Sequence, residues 1–258
     1  MLLHFFGHSF GNILDIRRME QMSIEKMRFG LRKMTLLDFP GKVACTVFTC
    51  GCNFRCPFCH NASLVRGSEE DMELSAGELL EFLERRRKLL DGVAVTGGEP
   101  LLHPGTVELL ERVKKMGYAV KLDTNGSFPE TLQKVISSGL VDYAAMDVKS
   151  SFERYDELCG RPGMTEKVAQ SIGILLEGKV DYEFRTTVVD ELHTAADIES
   201  AAREIAGARR YFLQNFTESD DLLSPWSSFS GAGKEKLQEM LKLARIHVPS
   251  AELRGIDL

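Results

Sequence analysis

From Met27 onward, short β-like runs alternate with amphipathic helical stretches, and this alternation constrains the fold more than any other feature of the chain. Strands are expected at Val43–Phe48, Gly92–Thr96, Ala119–Asp123, Tyr143–Val148, Tyr182–Val189 and Arg210–Gln214. Between and after them, helical periodicity marks Ala76–Leu90, Thr106–Met116, Pro129–Ser138, Glu166–Leu176, Ala195–Ala206 and Gly233–Ala244. Strands joined through helices pair in parallel, because a parallel neighbour requires a crossover connection. Ser75-Ala-Gly-Glu78 is a capping-box pattern ahead of one helix, and Gly117 and Gly139 follow others where a left-handed residue ends them. The basic run Arg85–Lys88 follows Glu81 and Glu84 on the same helix and reads as a solvated charged face.

Six βα units within 258 residues fit a doubly wound sheet or a full or partial (β/α) barrel. Either way, function belongs where strand C-termini meet the loops that follow. Residues 1–26 show no period, and Met19, Met22 and Met27 are alternative starts. They read as an N-terminal extension or a mis-assigned start ahead of one domain, 27–258. No internal repeat or Pro/Ser-rich linker divides that domain.

A net charge of -6 argues against a nucleic-acid partner, which would need a broad basic surface. No apolar run approaches the ~20 residues that span a bilayer, so no membrane partner is expected. The start MLLHFFGHSF has no basic residue ahead of its apolar run, unlike a signal peptide, and the expected location is cytoplasmic. A reducing compartment decides how the 6 cysteines are read. Cys45, Cys50, Cys52, Cys56 and Cys59 crowd one short window, with Cys159 apart, which points to metal or cluster ligands rather than disulfides.

Cys52-Asn-Phe-Arg-Cys56-Pro-Phe-Cys59 is a C-x3-C-x2-C motif in the loop after the first expected strand. Three thiolates this close can converge on one inorganic centre. An ordinary [4Fe–4S] cluster takes four cysteines. Three would leave one iron open, and an open position marks a catalytic metal site. The alternative is zinc, with Cys50, Cys45 or His60 as fourth ligand. Zinc sites usually combine two separated ligand pairs, and no second pair is present. Cys45 lies within a strand and reads as a core thiol; Cys50 remains a competitor by spacing.

Other polar residues gather at the expected strand ends. Thr96-Gly97-Gly98-Glu99-Pro100 offers glycines for close backbone approach and a carboxylate for a cation, or is a plain βα turn. The next strand ends in Lys121-Leu-Asp123-Thr124-Asn125-Gly126. Asp147 and Lys149 share a strand face, as do Glu183, Arg185 and Thr187. Three polar residues facing a barrel interior are costly without partners, so these read as pocket residues. Gln214 ends the last expected strand. The loop from Asn215 to Phe229, with Asp220, Asp221, Pro225 and Trp226, reads as a contact loop bordering the mouth or as simple surface. His103, His193 and His247 read as core or surface, and Cys159, in Cys-Gly-Arg-Pro-Gly, as an idle thiol.

The cysteine motif, with aromatic Phe58 before its last member, resembles that of the radical S-adenosylmethionine (SAM) superfamily. The resemblance implies an α/β partial (β/α)6 barrel. It also implies a [4Fe–4S] cluster on Cys52, Cys56 and Cys59, whose open iron binds the amino and carboxylate groups of SAM. Gly97, Gly98 and Glu99 resemble the GGEP segment that holds the methionyl ammonium. Cys59-His60-Asn61, the lead-in Leu36-Leu-Asp-Phe-Pro-Gly41 and the absence of a further cysteine group narrow the resemblance to glycyl-radical-enzyme activating proteins. Among these, the chain most resembles those serving anaerobic ribonucleoside-triphosphate reductase. There, the lysine matching Lys149 binds the SAM carboxylate, and residues matching Asp123, Thr124 and Asp147 frame a monovalent cation. Arg185 matches an arginine that contacts SAM, and Gln214 stands near a SAM-contacting polar residue that is often His. The implied chemistry is one-electron cleavage of SAM to methionine and a 5′-deoxyadenosyl radical, which takes hydrogen from a glycine of the partner. A flavodoxin- or ferredoxin-type donor would supply the electron. Two other functions remain open: a radical SAM enzyme acting on a small heterocycle, and a non-enzymatic iron–sulfur or zinc scaffold.

Overall fold

The computed structural model describes residues 23–67, 70, 72–218, 221–224 and 229–255. Among these residues nine strands form a single sheet in the order β3-β1-β2-β4-β5-β6-β7-β8-β9. They are β1 (Arg28–Thr35), β2 (Ala44–Thr49), β3 (Leu74–Ser75), β4 (Gly92–Gly97), β5 (Ala119–Thr124), β6 (Tyr143–Asp147), β7 (Asp181–Val188), β8 (Tyr211–Asn215) and β9 (Ala251–Arg254). From β2 through β4 to β9 every neighbouring pair is parallel, whereas β1 runs antiparallel to both β2 and β3. The six strands expected from the sequence are the consecutive run β2 and β4–β8, with ends moved by a residue or two.

β1, β3 and β9 escape the sequence reading for a physical reason. β1 carries Arg28, Arg32 and Lys33 and is mostly half-buried or exposed. β9 buries only its first residue. Neither presents the apolar run of a strand covered on both faces.

Among the described residues the α-helices are α1 (Ala62–Arg66), α2 (Ala76–Arg86), α3 (Gly105–Lys115), α4 (Pro129–Ser137), α5 (Tyr155–Leu158), α6 (Thr165–Leu176), α7 (Ala195–Glu204) and α8 (Lys234–His247). The capping box before α2 is present, with Ser75 and Glu78 bonding reciprocally. Gly117 and Gly139 adopt φ of 88° and 66°. The 3-10 turn Ile24–Lys26 buries Ile24 completely, so the described end of the segment read as an extension packs into the core. Residues 1–22 lie outside the described residues.

Strand alternation sorts the side chains. Val47, Val95, Leu122, Met146, Phe184 and Leu213 point outward and belong to the main hydrophobic core. The intervening positions carry Thr46, Lys121, Asp123, Asp147, Glu183, Arg185 and Gln214, so the concave face is polar. At the strand N-termini, Phe39 packs with Ala44, Tyr143 and Ala145 in a separate small cluster. No helix among the described residues is long and apolar enough to cross a membrane.

Candidate functional site

A cavity of about 290 Å³ opens at the C-terminal ends of the parallel strands. It is lined by Cys52, Cys56, Phe58 and Cys59 from the loop after β2, Gly97 and Gly98 at the end of β4, and Asp123 and Thr124 from β5. Asp147 and Lys149 at the end of β6, Arg185 on β7 and Gln214 on β8 complete the expected set. Contact between the β2 loop and the end of β8 across one cavity means that the sheet curls. Glu99 lies beneath this surface rather than on it.

The cysteine loop is held from below. Gly51 takes φ 81° and donates its N–H to the Leu64 carbonyl at 2.8 Å, folding the loop back onto α1. Arg55 donates its N–H to the Cys159 carbonyl at 2.8 Å, and Arg161 donates to the Asn53 carbonyl at 3.3 Å. Gly160 has φ 65° and passes so close to Arg55 that a Cβ would overlap its carbonyl. Cys159-Gly-Arg therefore buttresses the cysteine loop, although the thiol itself is buried. Cys50 points its sulfur at the Gly67 carbonyl, 3.0 Å away, and lines no part of the cavity. Cys45 is buried in β2.

Burial pushes the Cys52 thiol up to about 12, with nearby Glu99 adding to the effect. Burial likewise raises Cys56, although Lys149 opposes it. Thiols in this state must lose protons to bind metal, so metal uptake and deprotonation are coupled. The glycine floor is equally specific. The Gly98 N–H donates to the Thr49 carbonyl at 3.0 Å, and that of Glu99 to the Gly51 carbonyl at 2.9 Å. A Cβ at Gly97 would overlap the Thr49 backbone, and one at Gly98 the Gly51 carbonyl. Among the described residues, no three His, Cys, Asp or Glu side chains gather tightly enough to hold a lone metal ion. Three sulfur donors around a cavity with a glycine floor fit a multi-iron cluster that leaves room for an external ligand.

Opposite the thiols runs a ladder of alternating charge. Lys121 pairs with Asp123, Asp123 with Arg185 at 3.2 Å, Arg185 with Asp147 at 2.9 Å, and Asp147 with Lys149 at 2.8 Å. Burial opposes the charge on both aspartates, but Arg185 together with Lys121 beside Asp123 and Lys149 beside Asp147 outweighs it and holds both carboxyls below the usual range. Burial also opposes the Lys149 charge, and Asp147 with the nearby Cys56 and Tyr155 together more than offset it. Three cations face two carboxylates, leaving the ladder one positive charge in excess. Arg185 already bridges Asp123 and Asp147, where the sequence resemblance placed a monovalent cation. The Thr124 hydroxyl donates to Glu99 at 2.8 Å.

Glu183 departs from the pocket reading. Its carboxylate accepts from Tyr143 Oη at 2.7 Å and from both terminal nitrogens of Arg254, at 2.9 and 3.1 Å, lining a separate cavity at the opposite strand ends. It shares the inward face with Arg185 and Thr187, but the two-residue step moves it toward the other end.

The sequence reading did not single out Thr96 and Asn125 individually, nor Phe54 and Val65; all four line the cavity with His60, Asn61 and Thr187. Adjacency to the named motifs is the signal that could have found most of them. His193 is buried and hydrogen-bonded to the Lys149 carbonyl at 2.8 Å, with its ring edge-on to Phe58 at 5.8 Å. In the expected contact loop, Asp221 accepts from the Ser63 N–H at 3.0 Å and its hydroxyl at 2.7 Å, tying the segment after β8 to α1. Asp220, Pro225 and Trp226 lie outside the described residues.

The profile of the Radical SAM superfamily matches residues 46–205. A candidate glycyl-radical enzyme activating enzyme of Methanocaldococcus jannaschii is 30% identical over 236 residues, covering 88% of this chain and 95% of that protein. A 7-carboxy-7-deazaguanine synthase of Methanothermobacter thermautotrophicus is 33% identical over 132 residues, half of each chain. Among solved structures, SuiB of Streptococcus suis superposes with a TM-score of 0.60 at 13% identity, covering 80% of this chain and 47% of SuiB. That likeness is one of fold.

Proposed function

The chain belongs to the radical SAM superfamily, and from that premise we propose that it activates a glycyl radical enzyme, with anaerobic ribonucleoside-triphosphate reductase as the partner. The carrying observation is the near end-to-end match, on both sides, to the M. jannaschii protein. The heterocycle-modifying relative matches only half of each chain. The superfamily implies a [4Fe–4S] cluster and SAM, and the residues lining the cavity suit both.

Cys52, Cys56 and Cys59 would hold the cluster. When bound, the cluster supplies the electron that breaks a carbon–sulfur bond of the SAM sulfonium. The chain's own residues bind and orient. Gly97 and Gly98 let a ligand lie against bare backbone. Lys149 and Arg185 are the two cations on the cavity wall and would receive the SAM carboxylate. Phe58 supplies an apolar surface beside the thiols, and Gln214 a neutral hydrogen-bonding group. Glu99, which accepts from the Leu101 N–H, the Thr124 hydroxyl and the Asn125 N–H, braces the turns after β4 and β5, and its Oε2 keeps acceptor capacity for the SAM ammonium. A monovalent cation between Asp123 and Asp147 would compete with the Arg185 guanidinium, and SAM titrations with and without potassium or sodium test for one.

The electron would come from a flavodoxin- or ferredoxin-type donor. The decisive experiment is anaerobic reconstitution with iron and sulfide, followed by SAM, reductant and an anaerobic ribonucleotide reductase. The expected result is 5′-deoxyadenosine together with a glycyl-radical doublet in electron paramagnetic resonance, lost when the target glycine is exchanged for alanine. SAM cleavage with consumption of a small heterocycle and no protein radical would establish the other enzymatic reading. One zinc and no sulfide in anaerobically purified protein would mark a scaffold.

A further inference from the structure

From the cavity wall inward runs a polar network, largely buried, with which no proposed binding role has yet dealt. Asn53, Asn125 and Ser127 are 6%, 6% and 1% exposed. The Asn125 side-chain oxygen accepts from the Ser127 N–H at 2.9 Å and from its hydroxyl at 2.5 Å. A backbone N–H can only donate, so the atom facing it must be oxygen, and this fixes the orientation of the amide. The Asn125 nitrogen must therefore face the other way. It carries two hydrogens, and two acceptors stand there: Asn53 Oδ1 at 3.0 Å and Cys52 Sγ at 3.8 Å.

The acceptor side is equally constrained. Asn53 donates its own amide nitrogen to Ser127 Oγ at 2.9 Å, which orients Asn53 Oδ1 toward Asn125. The Asn125 backbone N–H is held by Glu99 at 2.6 Å. Glu99 also accepts from Thr124 Oγ1 and from the Leu101 N–H, at 2.8 and 3.0 Å, so the residue has little freedom to turn. A second donor reaches the same sulfur: the Phe54 N–H lies 3.3 Å from Cys52 Sγ.

We propose that Asn125 is a positioning residue that sets the reduction potential of the cluster, by donating its second amide hydrogen to the Cys52 sulfur. The inference rests on Cys52 being a cluster ligand. One-electron reduction adds negative charge to a cluster and its thiolates. A donor aimed at a thiolate stabilises the more negative state and raises the potential. Because these side chains are at least nine-tenths buried, the bond acts in a low-dielectric setting and keeps its strength.

The test is a redox titration of the reconstituted full-length protein, with a one-electron chemical reductant and the reduced cluster read by electron paramagnetic resonance. In Asn125→Ala, the reduction equilibrium should become about tenfold less favourable, a midpoint about 59 mV more negative for one electron. Ser127→Ala releases the Asn53 amide but keeps the backbone N–H that orients the Asn125 amide, so its midpoint should move much less than that of Asn125→Ala. Asn125→Asp keeps the shape while turning the donor into an acceptor. It should also move the midpoint negative, and it serves if the alanine variant does not fold. An unshifted midpoint in an Asn125 variant that holds its cluster overturns the proposal. Equal shifts in the Asn125 and Ser127 variants also overturn it, because general loosening would then explain both. A parent protein that takes up no cluster overturns the cluster assignment itself, and with it this proposal, so the two failures are distinguishable.

Discussion

Each cysteine meets a different environment, and alanine substitutions should separate them. Cys52→Ala, Cys56→Ala and Cys59→Ala remove sulfurs that face one cavity, and each should abolish cluster retention and SAM cleavage together. Cys45→Ala, Cys50→Ala and Cys159→Ala remove buried sulfurs that line none of it, and each should keep a full complement of iron and sulfide. Iron and sulfide analysis after anaerobic reconstitution checks both halves, and loss of the cluster in Cys50→Ala with retention in Cys52→Ala would reverse the assignment. Lys149 belongs to the opposite wall. Its ammonium already pairs with Asp147, so Lys149→Met should leave the cluster intact and weaken SAM. A lost charge-assisted hydrogen bond costs ~1.5–3 kcal/mol, roughly tenfold to a hundredfold in affinity. Anaerobic equilibrium titration measures it, and unchanged affinity would make Lys149 a bystander.

Between β5, β6 and β7 the charge ladder can be probed by acid. Asp123 and Asp147 have carboxyls held below their ordinary value of 3.8, so the ladder's contribution is fully present above that pH. It is lost as pH falls through the lowered values, because the folded state must then take up protons that the unfolded state has already bound. Arg185→Met removes the guanidinium shared by both carboxylates and leaves their burial unopposed on that side. The acid-unfolding midpoint followed by circular dichroism should therefore move to higher pH; a midpoint that stays put would mean that Arg185 does not hold these charges. The same strands show what a sequence conveys and what it hides. The cysteine motif and the glycine turn were legible because their chemistry lies in contiguous residues. Period-two alternation correctly put Glu183, Arg185 and Thr187 on one face. It carries no information about height along the strand, and a two-residue step of about 6.6 Å sends Glu183 toward the far cavity. Asn125 was hidden for a related reason: only the packing of the β5 turn under the β2 loop brings it to Cys52.

Among the described residues the sheet curls around a face that carries charged groups near both ends, and neither edge closes it. β3 and β9 end the strand order without pairing to each other. The thiol cavity occupies one end, and the other end depends on β9, one of the strands that the sequence did not reveal. Arg254 from β9 reaches across β8 to pair with buried Glu183, its guanidinium 3.5 Å over the Phe212 ring. This side chain fastens the last strand to the barrel interior. Glu183 is 2% exposed and Arg254 37%, so the pair is buried on the carboxylate side alone. Removing Arg254 leaves Glu183 with Tyr143 as its remaining hydrogen-bond donor and no guanidinium. Breaking a fully buried pair costs about 3–5 kcal/mol, and the exposure of Arg254 reduces this to about 1–3 kcal/mol. Arg254→Ala should lower the urea midpoint with an unchanged slope, because the surface exposed on unfolding is nearly the same. Adding Glu183→Gln removes the stranded charge and should recover part of the loss, so the two substitutions should be strongly non-additive. Cluster uptake should be unaffected in both variants, since neither residue lines the thiol cavity. Simple additivity would show that β9 is held by its backbone ladder to β8 and that the ion pair contributes nothing.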